Sequence, residues 1–198
     1  LIDLNRTAEC LEKAGQALKQ IAKSGKKIMF VATKKQARDI VSEAARSVNM
    51  PFVTERWLGG MMTNFTTIRR SVKKMNNIER MLADGNVTNI TKKERLTLSR
   101  EREKMERVLG GVANLNRLPS AVFIVDILNE HLAVDEADRL GIRTFAMVDT
   151  NSDPNLVDFP IPANDDSSKS IEIITRYMVE AIKEGLEERN AEVKEEAN

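Results

Sequence analysis

The stretch Lys27-Ile28-Met29-Phe30-Val31-Ala32, followed by Thr33-Lys34-Lys35-Gln36-Ala37, passes from an apolar run straight into helical spacing. A short apolar run without polar alternation is the pattern of a strand buried on both faces. Ala37, Val41, Ala44 and Ala45 then recur as one side of a helix over 33–48, and Pro51 precedes a second short extended run, Phe52-Val53-Thr54. Upstream, Ala8, Leu11, Ala14, Leu18 and Ile21 describe a helix that stops at Ser24-Gly25. Downstream come a five-residue apolar run, Ala121–Val125, a helix over about 129–140 with Gly141 as its stop, and a strand at 144–148. Phe159-Pro160-Ile161-Pro162 and a last helix over about 167–189 close the series, and 187–198 is polar enough to fray. Apolar strands separated by helices predict an α/β fold, a mainly parallel sheet flanked by helices on both faces.

One segment does not alternate. Phe65, Ile68, Val72, Met75, Ile78 and Leu82 recur at steps of three and four, Asp84-Gly85-Asn86 breaks the pattern, and Leu98, Met105, Val108, Val112 and Leu115 resume it. Two helices with such narrow stripes bury them against each other, which predicts an inserted αα-hairpin, a coiled-coil arm. At 1.5 Å per residue, 92–115 would be about 36 Å long. Glu103 and Arg107, at i, i+4, would add a few tenths of a kcal/mol to it. The expected organisation is a sheet domain of 1–63 and 117–198 interrupted by the arm at 64–116. Replacing the arm by a short linker should then leave the sheet folded.

The 198 residues suit one domain with an appendage. Hydrophobic residues make up 41% and charged residues 31%, so a core is possible beneath an ionic surface. No apolar stretch approaches the roughly 20 residues that cross a bilayer, and no membrane partner is expected. A single cysteine, Cys10, cannot form an internal disulfide, and with nine methionines this fits a reducing, cytoplasmic compartment. The chain opens on Leu1-Ile2-Asp3 without an initiator methionine, as a trimmed product or fragment would. The net charge of +1 conceals a division: 24 Lys and Arg against 12 Asp and Glu in 1–118 give +12, and 7 against 18 in 119–198 give −11. The basic half is a candidate surface for nucleic acid, and solvated charged faces are the plainer reading of the same counts.

Parts for catalysis are scarce. With one histidine, His131, and one cysteine, no His-rich or Cys-rich metal cluster can be built, and no metal or cofactor is expected. His131 stands near a helix start, where a surface or capping role suits it. Asp126, Asp149 and Asp153 fall at or after strand ends, where α/β proteins place ligands, yet capping and turn formation account for them. The passage Phe30-Val31-Ala32-Thr33-Lys34-Lys35 would present a helix N-terminus and two ammonium groups to an anion. It carries neither G-x-G-x-x-G nor G-x-x-x-x-G-K-[ST], and an RNA phosphate would serve as well as a nucleotide.

The densest cluster is Glu55-Arg56-Trp57-Leu58-Gly59-Gly60-Met61-Met62-Thr63-Asn64-Phe65, running into Arg69-Arg70 and Lys73-Lys74. Two glycines allow close backbone approach or positive φ, and Arg56 and Trp57 offer phosphate pairing and a stacking face. Trp57 could equally fill a gap where arm meets sheet. Thr63 or Asn64 could cap the following helix.

At this point the sequence resembles the ribosomal protein S2 family. Phe30-Val31-Ala32-Thr33-Lys34-Lys35-Gln36-Ala37 resembles its first strand and helix entry, and Arg56-Trp57-Leu58-Gly59-Gly60 with Thr63-Asn64-Phe65 its signature. Arg117-Leu118-Pro119, Ala146-Met147-Val148-Asp149-Thr150-Asn151-Ser152-Asp153-Pro154 and Ile161-Pro162-Ala163-Asn164-Asp165-Asp166 are further matches in the same order. The resemblance implies a Rossmann or flavodoxin-like sheet with a coiled-coil insertion and a structural, non-enzymatic role in translation between head and body of the small ribosomal subunit. It also implies contacts with small-subunit rRNA and with neighbouring ribosomal proteins, ribosomal protein S1 included. The family's N-terminal segment, with Gly-His and Trp-Asn-Pro motifs, is not found in this chain, which would remove part of the expected contact surface. Carried over residue by residue, the resemblance implies phosphate contacts at Lys34, Lys35, Arg56, Arg69, Arg70, Lys73 and Lys74, with Trp57 and Asn64 organising the arm's base. The rival is a flavodoxin-like nucleotide-binding protein or enzyme using Lys34 and the Asp149 loop.

Overall fold

Alternate residues of each strand point to opposite faces, and in the computed structural model, which describes residues 1–84 and 89–198, both faces are covered. The five strands are β1 (Ile28–Val31), β2 (Phe52–Val53), β3 (Ala121–Val125), β4 (Arg143–Val148) and β5 (Phe159–Pro162). All neighbours pair in parallel in the order β2-β1-β3-β4-β5, the doubly wound order of flavodoxin-like folds. Ile28, Phe30, Phe123, Val125, Phe145 and Met147 point to one face, beneath α1 (Leu4–Lys23), α2 (Arg38–Ser47) and α6 (Ser168–Glu196). Met29, Val31, Val122, Ile124, Ala146 and Val148 point to the other, beneath α5 (His131–Leu140) and the base of the arm. Every residue of β1 and β3 is buried, which is why their sequence is apolar throughout rather than alternating.

The arm consists of α3 (Phe65–Ala83) and α4 (Lys92–Leu109), packed on each other. Thr91 starts α4 with a reciprocal cap: its hydroxyl accepts from the Glu94 amide at 3.2 Å, and the Glu94 carboxylate accepts from the Thr91 amide at 3.1 Å. Gly85 and Asn86 of the expected break lie outside the described residues. The base of the arm is not self-contained. Ile68, Val72 and Met75, with Leu109, Val112 and Leu115, share one core with the sheet's second face, so excision at 64–116 would uncover Met29, Val31, Val122 and Ile124.

Three boundaries differ from the sequence reading: the start of α2, the end of α4 and the end of α6. The first turn expected over 33–37 is not helical, because Thr33 and Lys34 are drawn to acidic groups of other elements and α2 begins at Arg38. α4 ends at Leu109, short of the expected Leu115, and Gly110–Val112 form a tighter turn. There the backbone passes so near β2 that a Cβ on Gly111 would stand 2.0 Å from the carbonyl oxygen of Phe52. On α4 the i, i+4 ion pair is Arg102 with Glu106, at 3.9 Å.

α6, expected to fray from 187, continues to Glu196 because α1 supports it. Lys19 meets Glu188 at 2.9 Å, and Lys23 meets Glu192 at 3.0 Å. Such exposed pairs contribute little stability each, but they show that part of the basic half's charge is met by the acidic half inside the chain. Gly185 lets the two helices approach, since a Cβ there would stand 2.3 Å from the Lys19 carbonyl oxygen. Gly185→Ala is therefore expected to lower stability by roughly 1–3 kcal/mol through overpacking. Urea unfolding checks this, and an unchanged midpoint would mean that α1 and α6 separate freely.

Candidate nucleic-acid interface

The loop between β2 and α3 carries the glycine and tryptophan cluster, and it is organised around one carboxylate on α5. Glu136 is 5% exposed. Its Oε2 accepts from the Trp57 indole N–H at 2.7 Å and from the Gly60 amide at 3.1 Å. Its Oε1 accepts from the amides of Met62 and Thr63, both at 3.0 Å, and from the Thr63 hydroxyl at 2.9 Å. Gly60 reaches this arrangement at φ +92°, a conformation that glycine adopts without strain. Burial by itself raises the pKa of Glu136, but the amides of Thr63, Met62 and Gly60 and the Trp57 indole together hold it below the ordinary 4.5. Asn64 occupies the position before α3, where its Oδ1 accepts from the Thr67 hydroxyl at 2.9 Å.

Arg56 stands in this pinned loop, and α3 leaves it carrying further cations. Arg56 and Lys35 are exposed. On α3, Arg70 and Lys73 are exposed on the side opposite Ile68, Val72 and Met75. None of these four has a hydrogen-bond or ion-pair partner among the described residues. Arg69 donates to the Asn116 carbonyl at 2.6 Å, tying α3 to the exit of the arm. Lys74 pairs with Glu101 at 2.9 Å, tying it to α4. A cleft of about 640 Å³ opens between α2, β2 and the base of α4, with Arg38, Arg46 and Arg107 beside Asp39, Glu55 and Glu106 on its walls. With Lys27 also on its wall, four cations there face three carboxylates and most of the charge is offset, and Arg46 is stacked over the Phe52 ring at 4.8 Å.

Two expected contacts have other partners. The Trp57 indole is enclosed, 8% exposed, and offers no face for a base to stack on; it fills the junction of arm and sheet. The Lys34 ammonium, expected to meet a phosphate, lies 2.8 Å from Asp126, 3.1 Å from Asp165 and 2.5 Å from Asp166. Burial would lower its pKa, and the hydrogen bonds to these aspartates outweigh that and raise it. Asp165 is pushed up to about 6, chiefly by burial, with Asp126 and Asp149 adding to the shift against the pull of Lys34. Lys34 and Asp165 thus both move upward, the lysine through its three carboxylate partners and the aspartate through burial. Beside them Glu130, 2% exposed, accepts from the Thr33 amide at 3.0 Å, the Thr33 hydroxyl and the Asn129 side chain.

A family model described as ribosomal protein S2 matches residues 1–185. The chain belongs to the ribosomal protein S2 family. The small ribosomal subunit protein uS2 of Cytophaga hutchinsonii is 57% identical over 192 residues, 97% of this chain and 76% of that protein. That of Phocaeicola vulgatus is 59% identical over 192 residues, covering 97% of this chain and 69% of its own length. For Porphyromonas gingivalis the figures are 57% identity, 97% and 68%.

The S2 family is one of ribosomal structural proteins and not of enzymes, and the switch point of this sheet fits that. In a doubly wound sheet of this order, ligands enter where the strand order reverses, beyond the carboxyl ends of β1 and β3. In this S2-family chain the position is filled from within by Lys34 on Asp126 and by Thr33 on Glu130. The backbone amide and the ammonium that would hold a nucleotide phosphate are both taken, and the remaining groups are carboxylates that repel one. The flavodoxin-like enzyme reading therefore has no site there. Among the described residues no helix is long and apolar enough to cross a membrane.

Sequence reasoning missed Glu136, whose partners lie 73 to 79 residues away, so that no local spacing marks it. It also passed over Lys93, Arg100 and Lys104, and took Arg107 only as a helix ion-pair partner. These are exposed along α4, on the side opposite Leu98, Arg102 and Met105. Their spacing of seven, four and three was visible, but interleaved glutamates concealed it.

Proposed function

We propose that this chain is a structural constituent of the small ribosomal subunit in the cytoplasmic ribosome, held on small-subunit rRNA by the cations around the base and along the sides of its arm. As a ribosomal protein of the S2 family it acts by binding and positioning, not by catalysis. The observation that carries the reading is that Lys35, Arg56, Arg70 and Lys73 are exposed with no hydrogen-bond or ion-pair partner among the described residues, Arg56 in the loop fixed by Glu136 and Arg70 and Lys73 on the helix that follows it. Arg69 and Lys74 lie at the edge of this set and keep a phosphate contact only in addition to their internal ones. Lys34, Trp57 and Asn64 serve as positioning residues for the same surface. Phosphate contacts carry no base sequence, so specificity comes from the shape of the rRNA.

Residues 1–63 and 117–198 form the sheet domain and 64–116 the arm, with the base of the arm shared between them. The acidic half, 119–198, faces neighbouring ribosomal proteins, ribosomal protein S1 among them. Its net −11 supports this, and so do Leu128 before α5 and Leu132 in its first turn, exposed by 51% and 44%.

Binding to small-subunit rRNA across a salt series tests the interface. Counterion release makes affinity fall with salt at a log–log slope near −0.7 to −0.9 per neutralised phosphate. Arg70→Ala with Lys73→Ala is expected to flatten that slope by about one to two units. Stability should stay within about half a kcal/mol, since both residues are exposed. A slope unchanged by the double substitution would overturn this placement of the interface.

A further inference from the structure

We propose that the loops at the carboxyl edge of the sheet hold a hard divalent cation of the Mg²⁺ class between Asp149, Asp165 and Asp166. Asp149 follows β4 and the other two follow β5, and one carboxylate oxygen from each lies within 4.8 Å of the others. The two loops are tied at this point, because the Asp165 amide donates to Asp149 Oδ2 at 3.3 Å. Asp165 is 3% exposed, and its two oxygens differ in partners. Oδ1 faces the Lys34 ammonium at 3.1 Å, whereas Oδ2 is buried with no hydrogen-bond partner. A buried carboxylate oxygen normally has a donor or a cation, so this one marks an unfilled requirement.

The charge balance points the same way. Asp126, Asp149, Asp165 and Asp166 bring four carboxylates to this edge, and Lys34 brings one ammonium, leaving three negative charges in a partly buried setting. Lys34 already engages Asp126 Oδ2, Asp165 Oδ1 and Asp166 Oδ1, so it cannot also satisfy Asp165 Oδ2. A dipositive ion held by Asp149, Asp165 and Asp166 removes most of the excess. With only oxygen ligands, the site selects a hard cation over one that prefers nitrogen or sulfur. Exposed Asp166 and half-buried Asp149 leave one side open to solvent, which suits an ion that retains several waters.

Manganese alone, added to the metal-free full chain, is the probe, with bound Mn²⁺ counted by electron paramagnetic resonance. The parent is expected to bind one Mn²⁺ that excess Mg²⁺ displaces. Asp165→Asn and Asp149→Asn should each weaken binding at least tenfold, while Asp135→Asn, on the exposed side of α5, should not change it. Far-ultraviolet circular dichroism and Trp57 emission verify that each variant is folded, and the less buried Asp149→Asn decides the matter if Asp165→Asn unfolds. A parent chain that binds no Mn²⁺ overturns the proposal. So does binding that survives both site substitutions, or binding that Mg²⁺ fails to displace.

Discussion

Glu136→Ala is expected to lower the stability of the chain by roughly 3–5 kcal/mol, the range for removing one partner from a buried charged network. The loss is large because the substitution strips the acceptor from the Trp57 indole, from three backbone amides and from the Thr63 hydroxyl. An unpaired buried donor loses its water without a replacement, at about 1–3 kcal/mol for each. Glu136→Gln should recover only part of this, since one of its two terminal groups is a donor facing donors. Trp57 is the only tryptophan, so its emission reports the loop directly and should shift to longer wavelength as the 55–64 segment opens. The pH dependence comes from a carboxyl held below 4.5 in the folded chain. Its contribution is fully present above the unfolded value and is lost as pH falls through the lower folded one. Acid titration should therefore release Trp57 as pH falls past the ordinary glutamate value and through the lower folded one, and Glu136→Gln should lack that transition. A Trp57 spectrum and unfolding midpoint unaffected by Glu136→Ala would show that the loop is held by other contacts.

Lys34→Met should cost about 3 kcal/mol or more, because Asp126, Asp165 and Asp166 would then face one another with no cation between them. Its neighbour behaves differently. Lys35 is exposed, and Lys35→Ala should leave stability within about half a kcal/mol. It should still weaken rRNA binding and flatten the salt slope by nearly one unit. Measuring unfolding and binding for the two variants side by side separates a lysine that holds the sheet edge from one that meets phosphate. If Lys34→Met were as stable as the parent and lost only RNA affinity, the ammonium would belong to the interface.

Neighbouring residues decide the features that could be read from the sequence. The unbroken apolar runs at Ile28–Val31 and Ala121–Val125 identify strands buried on both faces, and the stripes from Phe65 and Leu98 identify two helices of an arm. The same stripes did not reveal that Ile68, Val72 and Leu109 also close the sheet's second face, because a periodic stripe is silent about which neighbour buries it. At the site, Arg56, Arg70 and Lys73 stand exposed as a local reading expects, whereas Lys34 is engaged within the chain. Lys34 and Lys35 leave the same strand side by side, and only the arrival of Asp126, Asp165 and Asp166 from 92 or more residues away distinguishes them. The polar tail of α6 illustrates the same limit, since its extension to Glu196 depends on Lys19 and Lys23 at the other end of the chain.

The single carboxylate beneath the 55–64 loop also fixes a direction. The 18 residues of α4 make a rod of about 27 Å, so a tilt of about 5° where it meets the sheet displaces the far end by roughly 2 Å, most of a hydrogen-bond length. Lys93 rides near that far end, Arg100 halfway along and Arg107 near the pivot. Glu136, which carries none of the positive charge, holds the loop from which the arm departs, and so bears on the direction in which distant cations are presented. A slack mounting would leave every basic side chain in place and still spoil the aim.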